Sequence, residues 1–254
     1  MNKRDFTIAS TRARTFFELV RQMFDPTQLR SIREYLDAVE AERQSLAQTE
    51  REKVALRQGV ASDALRLDPY WYETWRNPTP CLLEQVRPFT WVVYPVQVRI
   101  IRAGTHLVPW HQDIAYQKLL GARGHQRIIT CFIPLDDDPW RRPTIQFTNS
   151  VQQELEHLPV TESSDTTYAY TGGLWLKDFQ PQHQQHYELT LGDCLLFGDL
   201  AIHRSFVPPN QEMMERRSLE FRLVRPEDAL DTKDYFDIES GLFVRTDGST
   251  RQVP

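Results

Sequence analysis

The sequence predicts a mainly β fold, a sandwich or jelly roll, with a helical N-terminal layer packed on one sheet. A change of pattern along the chain supports this fold class. Apolar residues recur at steps of three and four before about residue 60, which is the helical period. From Trp91 onwards, short segments rich in Val, Ile, Tyr and Trp are separated by turn residues, as is typical of antiparallel β domains. We expect a single domain over residues 1–254.

The helical layer is predicted for about residues 1–90. Its first segment, Ala13 to Phe24, carries apolar side chains at helical spacing, and Asp25-Pro26-Thr27 then supplies a break and a cap for a new helix. That helix is predicted to continue to about Arg57. Its charged second half has too few aliphatic residues for a coiled coil, so a solvated face is expected there.

The β core is predicted for about residues 91–245. Its segments favour strands because β-branched and aromatic residues alternate with polar ones between clear turn residues such as Leu191-Gly192-Asp193. The candidate strands are Trp91–Ile101, Leu107–Asp113, Arg127–Leu135, Thr144–Phe147, Tyr187–Leu191, Cys194–Phe197, Ala201–Phe206, Arg217–Val224 and Tyr235–Val244.

Composition argues against several classes of partner. The formal net charge is -5, which gives no reason to expect nucleic acid or an anionic membrane surface. No apolar run approaches the roughly 18 residues of a membrane span. The 3 cysteines are far apart and lack the spacing of a zinc site or a disulfide framework. We therefore expect a cytoplasmic protein whose partner is a small molecule.

The candidate chemistry begins at Val108-Pro-Trp-His-Gln-Asp113. His111 and Asp113 stand two residues apart, so in an extended segment both side chains point the same way. His203 follows a strand-like run far down the chain and can supply a third ligand. Two histidines and one carboxylate form the facial triad of non-haem Fe(II) oxygenases. The H-x-D pattern alone is common by chance, so its context carries the hypothesis.

The segment after His203 contains a second candidate binding residue. Arg216 follows it by thirteen residues, on the next candidate strand. A dicarboxylate cosubstrate such as 2-oxoglutarate needs a fixed cation for its distal carboxylate, and the planar guanidinium suits that bidentate task. Arg217 is the rival for this role, because neighbouring strand residues face opposite ways.

At these residues the chain resembles the Fe(II)/2-oxoglutarate-dependent dioxygenases, and within them the phytanoyl-CoA dioxygenase-like group. The resemblance covers about residues 90–225. It implies a double-stranded β-helix, a cupin-like jelly roll, that uses Fe(II), 2-oxoglutarate and O2. The matching motifs are Trp110-His111-Gln112-Asp113, Leu191-Gly192-Asp193-Cys194-Leu195-Leu196-Phe197, His203-Arg204-Ser205 and Arg216-Arg217-Ser218.

The resemblance also implies roles for individual residues. Fe(II) would be bound by His111, Asp113 and His203. The cosubstrate would be held by Arg216 with help from Ser205, and Thr130 matches a position that often lines the cosubstrate pocket. The chain departs from the group at Pro143–Ser150, which leaves the substrate class open.

The expected activity is hydroxylation of an aliphatic C–H bond of a small molecule, an amino acid or a natural-product intermediate, with release of succinate and CO2. Desaturation, epoxidation and ring formation stay open, whereas Asp113 disfavours halogenation because related halogenases lack this carboxylate. The candidate substrate residues are Gln97, Arg99, Tyr116 and Trp140.

Two other classes of protein remain as alternatives. One is a non-oxidative metal-binding enzyme of the cupin type, such as a zinc-loaded isomerase or hydrolase. The other is a non-catalytic binding protein of the same fold. The presence of Arg216 argues against the first, and the intact triad argues against the second.

Overall fold

The computed structural model describes residues 16–46, 84–94, 96–101, 107–114, 127–148, 161–162, 174–176, 178–209, 214–230, 233–245 and 247–252. Within these ranges no helix combines the length and the apolar character needed to cross a membrane. The elements are β1 Phe17–Val20, α1 Pro26–Leu46, β2 Trp91–Tyr94, β3 Gln97–Ile101, β4 Ile129–Pro134, β5 Thr144–Thr148, β6 Thr161–Glu162, β7 Leu174–Trp175, β8 Gln184–His186, β9 Cys194–Gly198, β10 His203–Phe206, β11 Arg216–Val224, β12 Asp234–Asp237, β13 Leu242–Val244 and β14 Thr250–Gln252. Two short 3-10 helices cover Pro139–Arg141 and Pro226–Asp228.

The described antiparallel strands form a large sheet, a small sheet and a separate pair, β6-β7. The large sheet runs β1-β9-β4-β11-β2-β12-β13-β14, and β3 also pairs with β11. The small sheet runs β10-β5-β8. Side chains from both sheets meet in one apolar cluster, in which Phe132 and Phe197 of the large sheet pack with Ile145 and Phe147 of the small one. This arrangement of two facing sheets confirms the mainly β jelly roll that the sequence predicts.

Helix α1 covers the outer face of the large sheet. Its buried residues Leu29, Ile32 and Leu36 share a cluster with Leu219 and Phe221 of β11. Burial of an aliphatic side chain of this size contributes about 1.5–3 kcal/mol, which is enough to hold the helix on the sheet. The start of α1 is as predicted, because the carboxylate of Asp25 accepts a hydrogen bond from the backbone N–H of Thr27 at 2.8 Å.

The first predicted helix is wrong, because Phe17–Val20 is a strand at the edge of the large sheet. It pairs with β9 in antiparallel register, with Phe17 opposite Phe197 and Val20 opposite Cys194. Phe17 stacks on Phe147 between the sheets at 4.5 Å, whereas Val20 packs in the cluster under α1. Both faces of this strand are covered, so apolar residues do not alternate with polar ones along it. Their spacing therefore resembles the helical period.

Other differences concern strand boundaries. Leu107–Asp113 is not a strand, and its one β-bridge joins His111 to His203. Tyr187–Leu191 is irregular, and the pairing strand lies earlier, at Gln184–His186. Tyr235–Val244 is two strands joined by a turn at Gly241, whose φ of 71° favours glycine. The predicted continuation of α1 to Arg57 lies outside the described residues.

Candidate active site

His111 and His203 lie side by side because their backbones pair. The N–H of His111 donates to the carbonyl of His203 at 2.9 Å, and the reverse bond is 3.0 Å long. Their ring centroids are 4.2 Å apart. The backbone bridge between the segment before Asp113 and strand β10 therefore brings the two imidazoles together, across about ninety residues of sequence.

Both imidazoles present the same nitrogen to the pocket. The Nδ1 of His111 lies 2.8 Å from the carbonyl of Pro109, and the Nδ1 of His203 lies 2.9 Å from the carbonyl of Ala201. A carbonyl only accepts, so each Nδ1 carries the proton and donates it. Each Nε2 then keeps its lone pair, which is the form that a metal ligand needs.

Asp113 completes the group. Its Oδ1 lies 3.9 Å from Nε2 of His111 and 3.6 Å from Nε2 of His203. Its Oδ2 accepts a hydrogen bond from the hydroxyl of Thr130 at 2.5 Å. The three ligand atoms lie within 4.8 Å of one another, and all three residues are buried. The donor set, two imidazoles and one carboxylate, suits a borderline divalent metal such as Fe(II).

The protonation states fit metal binding. Burial, and next the neighbouring His203, lower the pKa of His111 to about 3, so the ring is neutral at pH 7. Burial raises the pKa of the Asp113 carboxyl, but its interactions with Arg222, with the two histidines and with the Thr130 hydroxyl outweigh burial and lower the pKa to about 2. A neutral imidazole and an ionised carboxylate are the ligating forms.

Arg216 lies in the same pocket and is 2% exposed. Its Nη1 donates to the carbonyl of Pro143 at 3.3 Å, and its guanidinium carbon lies 4.9 Å from the centre of the Phe132 ring. Its Nε has no hydrogen-bond partner among the described residues. Burial lowers the pKa of Arg216 to about 10, which still leaves it charged at pH 7. A buried cation with an unused donor is a ready site for a carboxylate.

Arg217 points to the opposite face of β11. Its Nε lies 2.7 Å from Oδ1 of Asp37 on α1, and its Nη1 lies 2.6 Å from Oε1 of Glu215. Arg217 therefore holds α1 against the sheet, and the pocket receives Arg216.

The triad and Arg216 line one pocket. Its lining residues come from both sheets and from the segment of the H-x-D motif. They are Arg99, His111, Asp113, Ile145, Phe197, His203, Arg204, Ser205, Arg216, Glu220 and Arg222. Thr130, expected to line the cosubstrate pocket, instead contacts the pocket through Asp113.

The structure places the four candidate substrate residues differently with respect to the pocket. Arg99 lines the pocket. The backbone of Gln97 pairs with that of Glu220, but its side chain lies outside what the structure describes, as does all of Tyr116. Trp140 lies at the surface, 47% exposed, under the guanidinium of Arg141 at 4.7 Å. The structure therefore does not bring Trp140 into the pocket.

Arg204, Glu220 and Arg222 are pocket residues to which the sequence analysis assigned no role. The sequence does contain a pattern that identifies two of them. In β11 the even positions from Arg216 to Arg222 are polar, whereas Leu219, Phe221 and Leu223 form the apolar face under α1. A strand with a charged stripe on its buried face lines a polar pocket.

No family model matches the chain, and no curated protein sequence matches it. Solved structures do match, and they place the chain in the fold of the non-haem 2-oxoglutarate-dependent oxygenases. EvdO2 from Micromonospora carbonacea var. aurantiaca, complexed with 2-oxoglutarate, is similar with a TM-score of 0.55 and 15% identity, over 84% of this chain and 87% of that one.

Two further structures have the same fold. The epimerase SnoN, in complex with Fe3+, alpha ketoglutarate and nogalamycin RO, matches with a TM-score of 0.54 and 14% identity, over 84% of this chain and 80% of its own. SnoK, a non-heme alpha ketoglutarate dependent carbocyclase from nogalamycin biosynthesis, matches with a TM-score of 0.54 and 13% identity, over 89% and 83%. The double-stranded β-helix is therefore confirmed, whereas the phytanoyl-CoA dioxygenase-like group stays a prediction.

Proposed function

We propose that this protein is an Fe(II)- and 2-oxoglutarate-dependent oxygenase that hydroxylates an aliphatic C–H bond of a small molecule, with release of succinate and CO2. One observation carries the proposal. The ligand atoms of His111, Asp113 and His203 converge in the pocket that also contains the buried guanidinium of Arg216. A metal triad and a carboxylate anchor in one pocket match the needs of this reaction.

The three ligands divide the work of holding the metal. His111 and His203 offer lone pairs on Nε2, and their carbonyl partners fix the ring orientations. Asp113 offers Oδ1 because Thr130 occupies Oδ2. When bound, Fe(II) would activate O2. The reduction of O2 takes two electron pairs, of which 2-oxoglutarate would supply one and the substrate C–H bond the other.

Arg216 would bind the distal carboxylate of 2-oxoglutarate, and Ser205 would add its hydroxyl. Both residues are buried in the pocket, at 2% and 7% exposure. A carboxylate accepting from the unused Nε of Arg216 would compensate the cost of burying that charge. Ile145 and Phe197 provide apolar walls that keep water away from the reacting atoms.

The lining of the pocket supports a small-molecule substrate, because charged side chains and the apolar walls of Ile145 and Phe197 surround the triad. The relatives of this fold include enzymes of nogalamycin biosynthesis, which favours a natural-product intermediate, and an amino acid fits the charged lining equally well. The free, buried thiols of Cys131 and Cys194 fit a reducing cytoplasm.

The first experiment adds Fe(II) and 2-oxoglutarate to the protein without oxygen. We expect a weak visible charge-transfer band in the wild-type protein and its loss in His111→Ala. His186→Ala is the matched control, because His186 is exposed on β8 and outside the pocket lining. A band that survives in His111→Ala at the wild-type intensity, or that never forms at saturating 2-oxoglutarate, contradicts the proposal.

Epimerisation and ring formation form a second candidate outcome, since SnoN is described as an epimerase and SnoK as a carbocyclase. The mass of the product separates these reactions. Hydroxylation adds one oxygen atom, ring formation removes two hydrogen atoms, and epimerisation leaves the mass unchanged. Succinate release coupled to candidate substrates, followed by mass spectrometry of the product, decides among them and also excludes a non-oxidative enzyme.

A further inference from the structure

The pocket lining carries more positive than negative charge. Four arginines face two carboxylates, and these residues are Arg99, Arg204, Arg216, Arg222, Asp113 and Glu220. A divalent metal and a doubly negative 2-oxoglutarate would cancel each other, so the excess of positive charge would persist with both bound. A low-dielectric pocket with one sign of charge attracts ligands of the opposite sign.

The arginines lie at different depths. Arg216 is almost fully buried, whereas the side chains of Arg222 and Arg99 are 21% and 30% exposed. A cosubstrate bound to Arg216 would therefore occupy the deep part of the pocket. Arg222 and Arg99 lie nearer to solvent, where an entering substrate would meet them.

The backbone register places these side chains on one wall. Arg216, Glu220 and Arg222 are separated by even numbers of residues along β11, so they lie on the same face of the strand. Arg99 of β3 lies opposite Ser218, which also belongs to that face. Residues directly paired across antiparallel strands project from the same face. Arg222 lies beside the triad, because its Nη2 is 4.0 Å from Oδ2 of Asp113.

The two arginines differ in their acidic neighbours. The Nη2 of Arg222 approaches the metal-ligand carboxylate of Asp113, whereas the Nε of Arg99 lies 3.7 Å from Oε1 of Glu220. These two ion pairs place both guanidinium groups in the pocket lining.

We propose that Arg222 and Arg99 bind a carboxylate of the substrate, and that the oxidised carbon lies only a few bonds from this carboxylate. The inference rests on the proposed function, because it takes the metal triad as the reaction centre. A guanidinium binds a carboxylate through two parallel hydrogen bonds and so fixes the orientation of the substrate. Since Arg222 lies beside Asp113, an acid bound there has its neighbouring carbons next to the metal.

The test measures binding rather than turnover. The protein is loaded with Fe(II) and saturating 2-oxoglutarate without oxygen, and then titrated in a calorimeter with hexanoate, phenylacetate and N-acetylleucine. The primary amide of each acid is the neutral control ligand. We expect at least one acid to bind more tightly than its amide, and Arg222→Gln and Arg99→Gln each to weaken that acid by about tenfold or more.

Two further variants sharpen the result, and Arg99→Gln serves a second purpose. Arg222→Lys keeps the charge but not the fork, so partial binding of the acid is expected. Arg217→Gln lies on the same strand but faces α1, so it should bind the acid as the wild type does. Arg99→Gln removes a side chain that pairs with Glu220 rather than with a metal ligand, so it keeps the test decisive if Arg222→Gln loses iron.

The inference is overturned if none of the acids binds the loaded wild-type protein, or if both Gln variants bind the acid with unchanged affinity. The charge-transfer band of the same samples separates this result from a failure of the proposed function. A band of normal intensity with no carboxylate selectivity leaves the oxygenase intact and removes only the inference. A wild-type protein without the band contradicts the proposed function and the inference together.

Discussion

The hydroxyl of Thr130 donates to Oδ2 of Asp113 at 2.5 Å and leaves Oδ1 facing the Nε2 atoms of both histidines. Thr130 belongs to β4, in which every residue is buried, so its position is fixed by the sheet rather than by a loop. One strand residue thus decides which carboxylate oxygen is presented to the metal. The orientation of a ligand by its hydrogen-bond partner is a general means of tuning metal affinity.

Thr130→Val should therefore weaken metal binding without unfolding the protein. Valine keeps the shape of the side chain but removes the donor to Asp113. Loss of such a partner reduces metal affinity by roughly 10–100-fold. Competition with a fluorescent chelator measures the affinity, and thermal melting checks the fold. Thr144→Val is the control, because Thr144 is buried but has no hydrogen-bond partner for its hydroxyl among the described residues. Equal affinities for wild type and Thr130→Val would contradict this role.

Arg216→Lys should weaken binding of 2-oxoglutarate. Lysine keeps the charge in a nearly closed site, but it loses the fork and the Nε donor that lacks a described partner. Loss of one charge-assisted hydrogen bond costs about 2 kcal/mol, or roughly 30-fold in affinity. The charge-transfer band, titrated with 2-oxoglutarate, measures the change.

Arg217→Lys is the matched control for this prediction. Its side chain pairs with Asp37 and Glu215 on the other face of β11, so cosubstrate affinity should not change. If Arg217→Lys weakens 2-oxoglutarate binding and Arg216→Lys does not, the assignment of the two neighbours is reversed.

These two neighbours also illustrate what sequence could and could not predict. Alternation along β11 predicts that Arg216 and Arg217 face opposite ways, but it does not state which of them faces the pocket. That choice depends on α1, which covers the face of Leu219 and Phe221. The docking of a helix on a sheet depends on contacts between residues that are distant in sequence, and local periodicity contains no information about such contacts.

The same distinction explains the other outcomes. Strands β4 and β9 could be predicted because their short apolar segments are bounded by clear turn residues. Strand β1 was missed because partners on both of its faces remove the alternation. The grouping of His111, Asp113 and His203 follows from their spacing, but it is produced by a backbone bridge rather than by the extended strand that the spacing suggested.

Gly192→Ala should destabilise the turn that precedes β9 and packs against the segment before α1. The φ of Gly192 is +102°, and a Cβ there would lie 2.7 Å from the carbonyl oxygen of Phe24. Strain at positive φ and the clash with backbone together cost about 2–4 kcal/mol. Gly241→Ala shares the positive φ, at +71°, but its Cβ would meet nothing within 4 Å. Urea denaturation should therefore show a clearly larger loss for Gly192→Ala, and equal losses would rule out the clash.

Asp193 gives a prediction about pH. Its side chain is fully buried in the same turn, and it accepts hydrogen bonds from the backbone N–H groups of Thr190 at 2.8 Å and Gln22 at 3.0 Å. Arg21 also contacts it at 2.7 Å. Burial raises the pKa of this carboxyl, but these donors outweigh burial, so the folded pKa lies below the ordinary value of 3.8.

A carboxyl with a depressed folded pKa stabilises the native state above its unfolded pKa, and this contribution disappears as pH falls through the folded value. Asp193→Asn should thus be less stable than wild type by about 2 kcal/mol at pH 7, since hydrogen bonds to a charged group are lost. The difference should begin to shrink near pH 4, where the carboxyl of the unfolded chain takes up a proton, and should continue to shrink as pH falls through the lower folded pKa. Urea denaturation of both proteins from pH 7 to pH 2.5 measures it. A difference that stays constant over this range would show that the charge of Asp193 does not stabilise the turn.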